Sequence, residues 1–66
     1  MYRYVVDKLT AENAEVISRS LRAIPDVLGV AVNPRRGLVE VKARRNPEQQ
    51  VRMACGIAEV NYRTRM

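Results

Sequence analysis

Apolar and polar positions alternate with period two at the start of the chain. Tyr2, Tyr4 and Val6 fall on one side and Arg3 and Val5 on the other, which predicts a strand over 2–6. The period then changes. Ala14, Ile17, Leu21 and Ile24 recur at i, i+3, i+7 and i+10, one apolar stripe of an amphipathic helix with Arg19 and Arg22 off it. Thr10 suits the N-cap, Glu12 complements the positive end of the helix dipole, and Pro25 stops the helix by pushing the residue before it out of helical geometry. Val27, Val30 and Val32 make an extended run, and Leu38-Val39-Glu40-Val41-Lys42 returns with strict alternation. Between them Asn33-Pro34-Arg35-Arg36-Gly37 is a turn by composition. Asn46 as cap, Pro47 at the first helical position and Glu48 behind it open a second helix, whose apolar face is Val51, Ala54, Cys55 and Ala58. Gly56 within that helix costs about 1 kcal/mol relative to alanine, so it is expected to be the weaker of the two. Val60 to Thr64 alternates again as a final strand.

A hairpin alone does not persist in water, so the central one needs a larger sheet and a cover. The order strand, helix, strand, strand, helix, strand supplies both as two split β-α-β halves. It predicts an α+β, ferredoxin-like βαββαβ sandwich in one domain over 1–66: a four-stranded antiparallel sheet, order 4-1-3-2, with both helices on one face. Tyr4 (or Val5, by a one-residue change of register), Val30, Val32, Val39, Val41 and Tyr62 then face the helices. Arg3, Ala31, Glu40, Lys42, Asn61 and Arg63 take the open face.

Composition narrows the chemistry. The chain has one cysteine and no histidine, so it has no internal disulfide and lacks the commonest general base and metal ligand. The single cysteine fits a reducing compartment, and with no membrane span or leader in the sequence the expected location is the cytoplasm, or the cytoplasmic face of a membrane transporter. Twelve Lys+Arg against seven Asp+Glu give +5, a balance compatible with nucleic acid, an acidic protein or simply a solvated surface.

Leu21-Arg22-Ala23-Ile24-Pro25-Asp26-Val27-Leu28-Gly29-Val30-Ala31-Val32-Asn33 resembles the helix-to-strand passage of heavy-metal-associated domains. Gly37–Val41 resembles their third strand and Asn46–Val51 through Ala54 their second helix. Members of that family that carry copper, zinc or mercury hold it in the loop after the first strand, between two cysteines three positions apart. Counted back from Pro25, those positions fall on Thr10 and Asn13. Counted forward from the first strand, with Leu9 in place of the family's methionine, the first falls on Ala11. Neither count meets a thiolate, and Asp26 stands where the family has glycine after the proline. The resemblance therefore implies a domain without the family's metal site, and no cofactor is expected. Asp7, Thr10 and Glu12 offer too few converging oxygens for a hard cation.

Cys55 lies on the apolar face of the second helix and reads as a small core residue. Met1, Met53 and Met66 are scattered. Enzymatic activity is not expected, since no histidine, catalytic carboxylate pair or glycine-rich phosphate loop is present. The candidate partner contacts are Lys8, Thr10 and Asn13 in the first loop, Arg35 and Arg36 on the hairpin tip, and Arg63 and Arg65 on the last strand. Arg35-Arg36 and Arg44-Arg45 belong to opposite ends of the sheet and form no common patch. The reading adopted is a protein-interaction or regulatory module linked to a metal (cation) transport system, its partner being a protein such as the rest of a metal-transporting ATPase. Self-association is left open. The alternative is a nucleic-acid-binding module that uses the basic open face with Arg63 and Arg65.

Overall fold

The computed structural model describes residues 1–66 and gives six elements in the predicted order. They are β1 (Tyr2–Asp7), α1 (Ala11–Arg22), β2 (Val27–Asn33), β3 (Leu38–Ala43), α2 (Glu48–Ile57) and β4 (Asn61–Arg65). The sheet is antiparallel in the order β2-β3-β1-β4, so the fold is the ferredoxin-like α+β arrangement. No helix is long and apolar enough to cross a membrane.

The register settles which face each strand residue takes. Tyr4 lies opposite Val39 and Tyr2 opposite Val41, and Tyr4, Val39 and Val41 are completely buried. Arg3 opposite Glu40 and Val5 opposite Leu38 occupy the open face. Ile17 and Leu21 from α1, Val51, Ala54 and Cys55 from α2, and Val6 and Val60 complete the core. Each such valine or leucine contributes about 1.5–3 kcal/mol by leaving water.

Two irregularities depart from strict alternation, and both are in the outer strands. In β2, Leu28 is an extra residue between Val27, opposite Ala43, and Gly29, opposite Lys42. This bulge lets Val27 share the helix side with Val30 and Val32, which have the other parity in sequence. In β4, Arg63 is the extra residue, between Tyr62 opposite Val6 and Thr64 opposite Val5. The strand beyond it is turned over, so Arg65 comes opposite Tyr4.

The start of α2 corrects one expectation. Pro47 is not the first helical residue but the cap position, and its carbonyl accepts the first helical bond from Val51 at 2.8 Å. Asn46 still does a cap's work from one residue further out: its Oδ1 accepts the Glu48 N–H at 3.1 Å. Gly56 lies in the last turn of the helix rather than its middle. The helix closes in a Schellman motif, with Val60 N–H bonded to the Cys55 carbonyl at 2.8 Å and Glu59 N–H to Gly56 at 3.3 Å. Glu59 holds the left-handed position, φ 61°, where glycine is the usual residue. The hairpin tip is held by Gly37, at φ 63°, whose carbonyl accepts the Val6 N–H at 2.9 Å; a Cβ there would come within 2.6 Å of the Val6 carbonyl oxygen.

Candidate functional site

The first loop, where the resemblance would place a metal, is closed on itself. Lys8 takes a left-handed turn, φ 63°, and Leu9 packs against the core. Thr10 Oγ1 accepts the Asn13 N–H at 3.2 Å, while Asn13 Oδ1 accepts the Thr10 N–H at 2.6 Å, a reciprocal capping box on α1. Asn13 Nδ2 also donates to the Lys8 carbonyl at 3.0 Å. Three hydrogen bonds thus spend the polar side chains of Thr10 and Asn13 on their own backbone. Ala11 begins the helix and is exposed. The side chains of this chain form no cluster of three or more metal-ligating groups.

Two other candidates, Arg35 and Arg36, lie near this loop. The contact between Gly37 and Val6 sets the hairpin tip, with Arg35 and Arg36 exposed on it, beside the end of β1 that leads into Lys8. Arg44 and Arg45 lie at the other end of the sheet, where Arg44 N–H bonds the Asp26 carbonyl at 3.0 Å and Arg45 approaches the Asp26 carboxylate at 3.8 Å. The expected separation of the two arginine pairs is what the structure has.

Arg63 and Arg65, treated in the sequence as a pair on one face, are separated by the bulge. Arg63 reaches Asp7 at 3.5 Å on the open face, and Arg3 on that face is held by Glu40 at 2.7 Å. Arg65 instead sits across from Tyr4 on the helix side, and its positive charge acts on both Tyr4 and Glu48.

Sequence reasoning missed a polar network where α2 begins. The Tyr62 hydroxyl donates to Glu48 at 2.7 Å, and the Arg52 guanidinium lies 4.7 Å from the centre of the Tyr62 ring and 3.5 Å from the Glu48 carboxylate. Tyr4 packs beside Tyr62, centroids 6.1 Å apart, and its hydroxyl donates to Asn46 Oδ1 at 3.0 Å. The hydrogen bond from Tyr62, aided by Arg52 and Arg65, holds the Glu48 carboxyl below its ordinary value. Burial, with the Glu48 charge adding to it, pushes Tyr4 up to about 12; burial and then the bond to Glu48 raise Tyr62. No buried side-chain polar atom here lacks a partner, and the network ties the start of α2 to the sheet. The i, i+4 spacing of Glu48 and Arg52 was the one signal available in the sequence.

Cys55 is 1% exposed, and burial pushes its thiol up, away from the reactive thiolate. The outer side of the helix layer is different in character. A cleft of about 270 Å³ between α1 and α2 is lined by Leu21, Ile24, Met53, Ala54 and Ile57 with Ser20 and Gln50, and no charged side chain enters it. Met53 and Ile57, one turn apart, are 65% and 70% exposed. No family model, curated protein or solved structure matches the chain significantly.

Proposed function

We propose that this is a non-catalytic docking or regulatory domain of the heavy-metal-associated kind, without that family's thiolates, working through protein contacts in a metal (cation) transport system. The observation that carries it is the first loop. At the positions where a soft ion would be held, Thr10 and Asn13 cap α1 and each other. The loop is thereby a rigid surface rather than a ligand set, and Lys8, Arg35 and Arg36 are exposed at that end with no acidic partner within ion-pair distance. An acidic patch on a protein is the complementary surface. The nucleic-acid alternative gains nothing comparable. Tyr2, Tyr4 and Tyr62 all pack on the helix side, so the open face offers no aromatic ring for a base to stack on, and its Arg3 and Arg63 are ion-paired.

The test is an NMR titration of the labelled chain with the soluble domains of a metal-transporting ATPase from the same cell. Shifts are expected at Lys8, Arg35 and Arg36, unchanged by added Cu(I) and weakened by Arg35→Glu with Arg36→Glu. Submicromolar, sequence-dependent binding of single-stranded RNA at about 0.15 M salt, with no response to any such domain, would overturn it.

A further inference from the structure

The two outer strands of the sheet are built differently. β4 carries Arg63 and Arg65 and is interrupted by a bulge, both devices that stop a sheet edge from pairing with another chain. β2 has seven residues with neither a charge nor a proline. Beyond its bulge at Leu28, the run Gly29–Asn33 pairs without interruption with β3, so along its outer side alternate N–H and C=O groups are directed away from the sheet. Val30 and Val32 pack on the core but stay only half-buried at this edge.

We propose that β2 is a self-association edge, on which a second copy of the chain adds its own β2 antiparallel to form one continuous eight-stranded sheet from two four-stranded ones. An unpaired strand edge is a template for another strand, and charge decides which strand fits it. In a two-fold antiparallel pair a strand meets its own sequence reversed, so charged residues near the axis would meet like charge. β4 is unsuited on that ground and β2 is not. With the axis at Ala31, the centre of the regular run, Val30 meets Val32 and Gly29 meets Asn33. Because each copy bears +5, added salt strengthens the dimer by screening repulsion, the reverse of its effect on a nucleic-acid complex. The proposal does not rest on the docking function above.

Sedimentation velocity over a range of protein concentration and salt tests it. Ala31 is exposed on the open face opposite Glu40, so a charged side chain is accommodated there without disturbing the core. Ala31→Lys and Ala31→Glu place like charges across the axis and are each expected to weaken the dimer at least tenfold, while a mixture of the two variants dimerises again. That rescue separates loss of pairing from loss of folding. A wild-type chain that stays monomeric at every concentration would overturn the proposal. So would a dimer indifferent to Ala31→Lys but broken by Ile57→Lys, which would put the interface on the helix cleft.

Discussion

The Tyr62 hydroxyl donates to the Glu48 carboxylate at 2.7 Å and so ties the last strand to the first turn of α2. The bond holds the Glu48 carboxyl below its ordinary value. A carboxyl lowered on folding stabilises the fold above its unfolded value, near 4.5, and that contribution fades as pH falls through the lower folded value. Tyr62→Phe is therefore expected to flatten the acid limb of a stability-against-pH curve measured by urea unfolding, with little change in slope at neutral pH. An unaltered acid limb would show that the bond is not made in solution.

Tyr4 behaves in the opposite sense. Its hydroxyl, held neutral and bonded to Asn46, is raised from 10 to about 12. A group raised on folding gives stability that is complete below its unfolded value and is lost as pH rises toward the folded one, here between 10 and about 12. Tyr4→Phe should cost about 1 kcal/mol at neutral pH, the net worth of a buried hydrogen bond. It should also remove part of the fall in stability over that alkaline window, followed by circular dichroism.

Cys55 should react with a thiol reagent slowly in the native protein and at once in denaturant, because it is buried and its thiol is pushed up. Cys55→Ala should lower stability on the order of 1 kcal/mol through the small cavity it leaves. Rapid native labelling would mean that α2 opens readily from the sheet.

The end of α2 invites stabilisation. Glu59 occupies a left-handed position without glycine's freedom, and Gly56 is helical with nothing within 4 Å of a Cβ built on it. Glu59→Gly and Gly56→Ala are each expected to raise stability, the second by roughly 0.5–1 kcal/mol. Thermal unfolding of the two single variants and the double variant measures both and their additivity.

Soft-metal binding has a direct check. Titration with Cu(I) or Zn(II) is expected to give no stoichiometric complex in the micromolar range. One ion per chain, lost on Thr10→Ala with Asn13→Ala, would show that the capping box opens to admit a ligand.

The elements and their order were legible because each is written by a single period and a recognisable terminus. Thr10 before Ala14-Ile17-Leu21, and Pro34 with Gly37 between valine runs, leave little else the chain could do. The core followed, down to Cys55. Most faces of the outer strands were legible, Val30, Val32 and Tyr62 toward the helices and Ala31, Asn61 and Arg63 on the open side, but alternation cannot see a bulge: one extra residue at Arg63 moved Arg65 from the side of Arg3 to the side of Tyr4. In β2 there was a clue, because Val27 has the wrong parity to share a face with Val30 and Val32 unless a residue is skipped. In the first loop, Asn13 could be placed at a family position but not seen to bond back to Thr10 and Lys8. That depends on a side-chain rotamer which no spacing encodes.

The position of the two bulges has a consequence for how the chain can vary in length. Had β4 kept strict alternation, Thr64 would face the core and Arg65 would stand beside Arg3, a like-charge pair. The surplus residue corrects the phase, so losing Arg63 would leave Tyr62, Thr64 and Arg65 with their present neighbours. β2 has the same slack at Leu28. β1 and β3, paired on both sides, have none: a residue gained or lost there would exchange core and solvent faces along the rest of the strand. Insertions and deletions within the sheet are thus tolerated at its margins, while the two central strands set a fixed count that the rest of the molecule must match.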